Sequence, residues 1–460
     1  MNGLVPTSVR HHLLCCKLIG IPKDDGGVRP IAMAEPIVKL ALHYASSRTN
    51  DAIVDVLGHM QLGVGVPGGS ERALHRVQCL LEAGSPNTVA VLVDFENAFN
   101  NMFRDVALSE LFSHDSLRPL WSSAHFAYSS PTHLFVFDQE NLVDTIPSAT
   151  GSRQGCKLGS LLFCHGLRKF QLAALELVAI CDDVTIVGPI DSCMRVLDWM
   201  RNNSRALIGL TVKESKTKIL YARTTPPPVA IVEAATSRGM VLARGACKLL
   251  GSIVGLDDDA KRAWVLKKID EYNPKLQRLL HGSVPVQSAL LLLRSSINAS
   301  PTYLFRTLPP DITREASRRF SSMIRDTLCT KLDIPSFASL PQHAQLTIAL
   351  PVNKGGLGIP LTETSLDAGY VSACAASVQD NHMDDQAHHL FLHSVPPDNP
   401  IDPGPLPMTS HLTSALARLA ATGMDNNHEV LPPSVASMVE KFQHGVPRRF
   451  QFLLVMLVQK

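Results

Sequence analysis

Apolar and polar positions alternate along the first part of the chain in a way that predicts short strands followed by amphipathic helices. Residues 13–32, LLCCKLIGIPKDDGGVRPIA, contain two apolar runs on either side of an Asp-Asp-Gly-Gly segment, which predicts a strand, a turn and a second strand. Residues 36–60 and 70–84 repeat apolar positions with the helical period, and the stretch QLGVGVPGGS between them is rich in glycine. We therefore expect a β-hairpin followed by helices that a loop separates.

Two short apolar runs contain acidic residues at positions where a buried strand rarely has them. Residues 88–94, TVAVLVD, end in Asp94, and residues 178–187, VAICDDVTIV, contain Asp182 and Asp183. Short β-branched runs of this length predict buried strands. A helical pattern follows each run, first in NAFNNMFRDVALSELF and then in DSCMRVLDWMRNNSRALI, before the segment TVKESKTKILYA. The first half of the chain is thus a mixture of strands and helices.

The second half of the chain has a mainly helical pattern. TTPPPVA at residues 224–230 is predicted to be a loop, since three prolines cannot continue a helix or a central strand. From about residue 246 to about residue 335 the pattern predicts mainly helices, and LPVNKGGLGIP is a turn-rich interruption. Residues 394–407 are rich in proline and predict a linker or surface loop. The whole pattern predicts the α+β class.

Composition narrows the class of protein. With 460 residues, 45% hydrophobic and 18% charged, the chain is long enough and apolar enough for two or three globular units. Its formal net charge of +2 neither indicates nor excludes binding to nucleic acid. The ten cysteines have no C-x-x-C spacing, so we expect reduced thiols in an intracellular protein. The sequence has no uninterrupted apolar stretch of about 18 residues, so we expect no membrane span.

The acids in the apolar runs need a physical explanation, because burying an uncompensated charge costs several kcal/mol. A divalent cation supplies opposite charge and occupies the oxygen lone pairs, so Asp94, Asp182 and Asp183 together indicate a metal site. Two ions held in this way are suited to phosphoryl transfer. Two alternatives stay open from the residues alone. Asp94 could cap a helix from residue 97, and the acid pair could form a hairpin turn.

Ordered motifs over residues 13–375 resemble the reverse transcriptases of non-LTR (LINE-like) retrotransposons. PKDDGGVRPIAM is similar to the fingers hairpin that ends in Arg-Pro-Ile, and QLGVGVPGGSERAL to the Gln-x-Gly loop and helix after it. The acids lie in VDFENAFN, which resembles the first palm motif, and in AICDD, which resembles the aromatic-Ala-Asp-Asp motif. Between and after them lie counterparts of the Gln-Gly motif, the Gly-Leu…Lys-Thr motif and the primer grip: GSRQGCKLGSLLF, GLTVKESKTKIL and KLLGSIVG.

This resemblance implies a right-hand polymerase with fingers at residues 1–85, an antiparallel-sheet palm at 86–245 and a helical thumb and connection at 246–375. Residues 376–460 form a tail without an assigned role. The implied activity is RNA-directed DNA synthesis, which extends a DNA primer on an RNA template with deoxynucleoside triphosphates. The implied cofactors are two Mg²⁺ ions, with Mn²⁺ as a substitute. The family also implies a nuclear location, while the sequence leaves the oligomeric state open.

The motif positions imply roles for individual residues. Asp94, Asp182 and Asp183 would be the catalytic acids, with Asp94 and Asp182 as direct metal ligands and Asp183 in support. Lys216 would protonate the pyrophosphate leaving group as a general acid. An ordinary solvated lysine in KESKTK is the alternative for Lys216. Lys23 is a further candidate for contact with the triphosphate of the incoming nucleotide.

Four more residues would bind the nucleotide or the template. Arg29 would hold triphosphate oxygens, or it could be a solvated charge at a strand end. Phe99 lies where a bulky side chain would exclude a 2′-hydroxyl, or it could be a core aromatic. Gln154 and Gly155 would pack along the template and nucleotide, or they could form a simple loop before a helix starting near residue 158.

Some features depart from the family pattern and leave competing functions to be tested. The residues before the acid pair are Ile180 and Cys181, where the family has an aromatic residue and alanine. RNA-directed RNA polymerases share the palm but usually carry a second acid about five positions after the first, where this chain has Phe99. A nucleic-acid-binding relic without catalytic activity is the other competitor.

Overall fold

The computed structural model describes residues 5–23, 26–58, 60–168 and 176–378, together with residues 411, 414, 415 and 418. Most of the predicted tail at 376–460, the linker at 394–407 and the Asp24–Asp25 turn lie outside the described residues. The chain divides into two compact units, each built from three segments. The first contains Met1–Ala73, Gly84–Tyr221 and Pro227–Ala243, and the second contains Leu74–Ala83, Ala222–Pro226 and Arg244–Lys460.

The described strands form three separate sheets. In chain order they are β1 Cys16–Pro22, β2 Val28–Ala34, β3 Thr88–Val93, β4 Thr132–Asp138, β5 Asn141–Ser148, β6 Glu176–Ile180, β7 Asp183–Pro189, β8 Lys218–Tyr221, β9 Val241–Arg244, β10 Ala246–Leu249 and β11 Ser252–Gly255.

The helices of the first unit are α1 Thr7–Leu14, α2 Pro36–Ser47, α3 Asn50–Leu57, the start of α4 Gly69–Ala83, α5 Ala98–Asn101, α6 Arg104–Phe112, α7 Arg118–Tyr128, α8 Gly159–Leu167, α9 Ile190–Ile208 and α10 Val229–Ser237. Those of the second unit are the end of α4, α11 Asp258–Asp270, α12 Asn273–Leu280, α13 Val286–Leu292, α14 Thr302–Thr307, α15 Pro310–Lys331, α16 Gln342–Ala349 and α17 Thr362–Val378.

A five-stranded sheet with the order β6-β7-β3-β8-β9 forms the centre of the first unit. Strand β3 runs antiparallel to both β7 and β8, and β6 and β7 are antiparallel neighbours. The middle strand is apolar at nearly every position, which fits a strand covered on both faces. Helix α9 packs on this sheet and contributes Leu197 and Met200 to its core. This sheet therefore provides a rigid base for the residues at the strand ends.

A second sheet of the first unit combines distant parts of the sequence in the order β2-β1-β4-β5. The predicted hairpin at residues 13–32 is confirmed as β1 and β2, with Ile19 opposite Ile31. Strand β4 pairs in parallel with β1, and β5 forms the largely exposed edge. A helical core beside these strands contains side chains such as Leu42, Leu111 and Leu162.

The second unit is mainly helical. Helix α15 contacts α11, α12 and α17, and its Phe320 and Ile324 lie in a shared apolar core with Val265 and Leu366. The unit also contains the hairpin of β10 and β11, which turns at Leu250 and Gly251, both with positive φ. This pair of angles is typical of the tight two-residue turns that join antiparallel strands.

The structure corrects three predicted helices. The pattern at residues 36–60 forms two helices, α2 and α3, and the one expected from residue 97 is broken into α5 and α6. At this break Met102 is extended and the Phe103 amide donates to the Ile208 carbonyl oxygen at 3.0 Å. Residues 246–255, expected to be helical, form the β10–β11 hairpin instead. Each correction depends on a turn or a distant partner that apolar periodicity does not encode.

The predicted α+β class is confirmed, and the sheet at the centre of the first unit is antiparallel as expected. In the described part of the chain, every helix is too short or too polar to traverse a bilayer.

Candidate active site

Strand pairing brings the three predicted acids to one end of the central sheet. Val93 at the end of β3 is the partner of Val184 in β7. Continuing this antiparallel register by one residue sets Asp94 opposite Asp183, and paired Cα atoms in such ladders are about 4.5–5.5 Å apart. Asp182 precedes Asp183 in the turn between β6 and β7. Acids that are about 90 residues apart in sequence thus lie side by side.

The turn that carries the acid pair is a tight one. Ile180 is paired with Asp183, so Cys181 and Asp182 alone connect β6 to β7. Cys181 has a φ of +53°, a conformation that costs a residue other than glycine about 1–2 kcal/mol. The acid pair therefore does lie at a hairpin turn, as one of the two alternatives from the sequence proposed. The helix-cap alternative for Asp94 is wrong, because α5 begins at Ala98 with Asn97 at its N-cap position.

The acids carry mutually repelling charge in this structure. Partial burial and, to a smaller extent, the neighbouring Asp182 and Asp94 carboxylates together raise the pKa of Asp183 to about 6. Burial also raises the pKa of Asp182, with a further contribution from Asp94. Each carboxylate thus makes ionisation of the next less favourable, as expected when like charges share one site.

Basic side chains from two directions oppose this effect. Burial raises the pKa of Asp94, while Lys216, Lys213, Lys23 and Lys218 act to lower it. Lys216, predicted to be the general acid, is exposed in the turn before β8 and has the largest of these effects. The end of the central sheet therefore combines carboxylates with nearby positive charge, which suits a phosphate-bearing ligand.

The β1–β2 hairpin brings two further predicted residues near the acids. Arg29 is exposed in β2 opposite Ile21, and Lys23 begins the turn, where its amide donates to the Gly27 carbonyl oxygen at 2.8 Å. Arg29 and Lys23 both act to lower the pKa of Asp182. Their charges are therefore close enough to the acid pair to affect it.

Two hydrogen bonds of the Asp94 backbone hold it against the segment that precedes β8. The Asp94 amide lies 3.3 Å from the Thr217 hydroxyl oxygen, which accepts its hydrogen bond, and Thr217 is fully buried. The Asp94 carbonyl oxygen accepts a hydrogen bond from the Lys213 amide at 2.8 Å. The side chain of Asp94 is thereby left for other interactions at the sheet end.

Phe99 has features of both roles that the sequence left open, a core aromatic and a bulky side chain that would exclude a 2′-hydroxyl. Its ring stacks on Phe163 with centroids 4.6 Å apart and an angle of 19° between the planes, so one face belongs to the core of the central sheet. The residue is only half-buried. Its carbonyl oxygen accepts a hydrogen bond from the Ser152 amide at 2.7 Å, which ties it to the loop that carries Gln154.

Gln154 and Gly155 lie in the turn before α8 and contact strand β2. The Gln154 carbonyl oxygen accepts a hydrogen bond from the Ala32 amide at 2.7 Å. Gly155 has a φ of +96°, and a Cβ atom there would lie 2.7 Å from the Ala32 carbonyl oxygen. Only glycine fits this position without a shift of the backbone.

Two arginines that sequence reasoning missed fix the start of this loop. Arg153 is buried and donates to the Thr132 hydroxyl at 2.7 Å and the Ala127 carbonyl oxygen at 2.9 Å. Arg104 donates to the carbonyl oxygens of Ser148 and Gly151, each at 2.7 Å. Arg153 directly precedes Gln154, so the only sequence signal for it was its position beside a motif.

A cavity of about 850 Å³ adjoins the Gln154–Gly155 turn within the first unit. Lys39 and His43 of α2 line it, together with Gly155 and Lys157 of the turn. The lining is rich in hydroxyl, amide and basic side chains and is suited to a polar, negatively charged ligand.

Gln61 is another residue that sequence reasoning did not assign to the site. Its side-chain amide bonds to both the N–H and the carbonyl of Cys181, at 2.8 and 3.3 Å. The residue is buried in the loop before α4, and its only sequence signal is the Gln-x-Gly pattern.

The chemistry of the carboxylates fits divalent cations, which take oxygen ligands. The raised pKa values of Asp182 and Asp183 indicate negative charge that the described side chains do not fully compensate. Across the described ranges, however, no three His, Cys, Asp or Glu side chains are already arranged to hold an ion. Other ligands, such as phosphate oxygens and water, would therefore be needed to complete a site.

Comparison with known proteins supports the motif assignment. The family described as reverse transcriptase (RNA-dependent DNA polymerase) matches residues 21–254, slightly more than half of the chain. The retrotransposable element SLACS 132 kDa protein of Trypanosoma brucei gambiense is 25% identical over 381 residues. That match covers 82% of this chain but only 30% of the relative, so the chain corresponds to less than a third of its length.

Likenesses among solved structures are more distant. A Candida albicans telomerase structure with a fragment of telomeric RNA has a TM-score of 0.42 at 11% identity, over 84% of this chain and 65% of that one. Apo telomerase from Candida tropicalis has a TM-score of 0.41 at 12% identity, over 84% and 70% of the two chains. The RNA-dependent RNA polymerase of a human picobirnavirus has a TM-score of 0.40 at 14% identity, over 76% and 64%.

The family match spans every predicted site residue from Lys23 to Lys216, and the curated relative is a retrotransposable-element protein. Both findings confirm the predicted resemblance to a reverse transcriptase of non-LTR retrotransposons. The chain belongs to the reverse transcriptase (RNA-dependent DNA polymerase) family.

Proposed function

We propose that the chain is an RNA-directed DNA polymerase that extends a DNA primer on an RNA template with deoxynucleoside triphosphates. The observation that carries this proposal is the meeting of Asp94, Asp182 and Asp183 at one sheet end, with the charges of Arg29 and Lys23 near Asp182. Carboxylates beside basic side chains suit a ligand that brings both divalent cations and phosphates. We infer a nuclear location from the family alone.

In this proposal Asp94 and Asp182 hold two Mg²⁺ ions, or Mn²⁺ in their place, and Asp183 supports them. When bound, the pair of ions supplies the positive charge that activates the primer 3′-hydroxyl and neutralises charge on the reacting phosphates. Partial burial of the acids strengthens their attraction to cations, since the local dielectric constant is lower than in water.

The remaining residues bind the nucleotide and move a proton. Arg29 and Lys23 hold the triphosphate from the β1–β2 hairpin, and Lys216 donates a proton to the leaving pyrophosphate. Phe99 excludes a 2′-hydroxyl with the part of its ring that Phe163 does not cover. Gln154 and Gly155 lie along the template and the nucleotide.

The template strand is assigned to the cavity beside the Gln154–Gly155 turn. Lys39 and Lys157 supply positive charge along its wall, and His43 supplies a ring N–H donor. These groups fit a phosphate backbone, which accounts for most of the affinity in nucleic-acid binding.

The test is primer extension on a primed RNA template with Mg²⁺. We expect extension with deoxynucleotides, and a drop of at least about 1,000-fold when Asp182→Asn and Asp183→Asn are combined, because catalysis of phosphoryl transfer depends on charge stabilisation at the metal ions. Extension only with ribonucleotides would favour an RNA-directed RNA polymerase. Template binding by a folded wild-type protein that adds no nucleotide would favour the relic.

A further inference from the structure

The turn that carries the acid pair is strained and crowded with negative charge. Cys181 has a left-handed backbone, and the carboxylates around it repel one another. The turn comprises only Cys181 and Asp182, so its own hydrogen bonds are few. A contact to the turn from another part of the chain is therefore well placed to influence the direction in which Asp182 and Asp183 project.

The side-chain amide of Gln61 provides such a contact, because it binds both the N–H and the carbonyl group of Cys181. Its Oε1 atom accepts a hydrogen bond from the Cys181 amide at 2.8 Å, and its Nε2 atom donates to the Cys181 carbonyl oxygen at 3.3 Å. These residues are 120 positions apart in sequence. Both polar groups of the strained residue are thus bound by one side chain.

Gln61 is itself held firmly. It is 6% exposed, and its Oε1 atom also accepts a hydrogen bond from the Gly63 amide at 3.0 Å. The backbone on either side of Gln61 pairs with β6, where the Ala179 amide donates to Met60 and the Leu62 amide donates to Ala179, at 2.7 and 2.8 Å. A Cβ atom on Gly63 would lie 2.6 Å from the Cys181 nitrogen, so the loop is packed directly against the turn.

The amide side chain is chemically suited to this position. It donates and accepts at once and adds no charge beside three carboxylates. A glutamate could still accept from the Cys181 amide, but it could not donate to the Cys181 carbonyl and would add a fourth negative charge. A methionine fills a similar volume and makes neither bond.

We propose that Gln61 is a positioning residue, which sets the orientation of Asp182 and Asp183 through the Cys181 peptide and so tunes their affinity for divalent cations. Gln61 acts through Cys181 and is not itself catalytic, because its buried amide is already engaged by backbone groups. The expected effect on nucleotide addition rests on the proposed polymerase function. The expected effects on the Cys181 backbone and on Mg²⁺ binding do not.

The test uses Gln61→Met and Gln61→Glu in the full chain, with unfolding curves to verify that each variant folds. Amide hydrogen exchange in metal-free protein should show lost protection at Cys181 in Gln61→Met and retained protection in Gln61→Glu, which keeps the accepting oxygen. For Gln61→Met we also expect about 10- to 100-fold weaker Mg²⁺ binding by calorimetry and a similar fall in the rate of nucleotide addition, as when partners of metal ligands are removed elsewhere. The affinity for template–primer should not change.

Gln78 provides a matched control. Its side chain makes the same pair of backbone bonds, to the Gly255 amide at 3.0 Å and the Gly255 carbonyl oxygen at 2.9 Å. Gln78→Met should lose protection at Gly255 and keep normal Cys181 protection and normal Mg²⁺ binding. Normal Cys181 protection and Mg²⁺ binding in Gln61→Met would overturn the inference. Absence of extension by the wild type, with the exchange and Mg²⁺ effects present, would overturn the proposed function and leave the positioning role supported.

Discussion

At the scale of single residues, the site depends on charges that the protein brings together at a cost. Continuing the β3–β7 register sets Asp94 opposite Asp183, and burial raises the pKa of both. The Asp94 and Asp182 carboxylates raise the pKa of Asp183 further. Such an arrangement is unfavourable for folding without a cation and favourable once one binds. The acids therefore link stability to pH and to metal in a predictable direction.

The first prediction concerns Asp183→Asn in metal-free protein. Because its pKa is raised from 3.8 to about 6, folding favours the protonated form of Asp183. The stability from this group is fully present below about pH 4 and is lost as the pH rises through 6. Asparagine removes that loss, so the variant should be more stable at pH 7.5, by about 1 kcal/mol after solvent screening is considered.

Unfolding in urea with EDTA, at about pH 7.5 and about pH 4, measures this effect. The gain should disappear at the lower pH, and Mg²⁺ should stabilise the wild type more than the variant. Asp138→Asn, at an exposed site in β4, serves as the control and should change stability little at either pH. Equal gains for Asp183→Asn at both pH values would contradict the assigned cause.

At the scale of elements, the Gln154–Gly155 turn joins α8 to strand β2 of the hairpin that carries Arg29. The joint consists of the hydrogen bond from the Ala32 amide to Gln154 and of the close approach of Gly155 to the Ala32 carbonyl oxygen. The wall of the cavity that we assign to the template and the β1–β2 hairpin are thereby tied together.

We expect Gly155→Ala to separate the Gln154–Gly155 turn from strand β2. A Cβ atom would meet the Ala32 carbonyl oxygen at 2.7 Å in a backbone conformation that alanine rarely adopts. We expect a loss of about 2–4 kcal/mol in stability and a KM for the deoxynucleotide that rises about tenfold, since Arg29 would shift with β2. Steady-state kinetics and urea unfolding measure the two effects.

Gly239→Ala isolates the cost of the backbone angle alone. Gly239 has a φ of +63°, but no atom lies within 4 Å of a Cβ built there. This variant should lose only about 1–2 kcal/mol and keep its KM. If Gly155→Ala resembled Gly239→Ala in both measurements, the contact with Ala32 would have no role in nucleotide binding.

Elements with strong local patterns were predictable from sequence, and those fixed by distant contacts were not. The β1–β2 hairpin and α9 follow directly from apolar alternation and helical period. The break at Met102 depends on a hydrogen bond from Phe103 to Ile208, far along the chain. The hairpin of β4 and β5, which the sequence pattern did not predict, joins its sheet through a short parallel pairing with β1.

The same distinction applies to the site. Asp94, Asp182 and Asp183 were conspicuous because acids are rare in buried apolar runs. Gln61 and Arg153 were not, since each acts by binding backbone groups whose positions only the folded chain defines. Sequence therefore identifies residues whose chemistry is out of place, while structure identifies those that hold them.

At the scale of the whole molecule, charge is nearly balanced but unevenly placed. The formal net charge of +2 gives little long-range attraction to nucleic acid. Attraction must then come from local groups, such as Lys39 and Lys157 in the wall of the cavity assigned to the template. Binding should therefore depend on specific basic residues more than on total charge.

Removing Lys39 and Lys157 together should weaken template–primer binding and flatten its dependence on salt. Each lost phosphate contact reduces the slope of log Kd against log salt concentration by about 0.7–0.9, so we expect a fall of roughly 1.5 for the double alanine variant. Fluorescence anisotropy between about 50 and 200 mM salt measures the slope. Arg195 and Arg205 of α9 are exposed and lie outside the cavity lining, so their double alanine variant removes the same net charge at another site. If both variants flattened the slope equally, total charge would control binding; if only the first did, the template would be bound along the wall of this cavity.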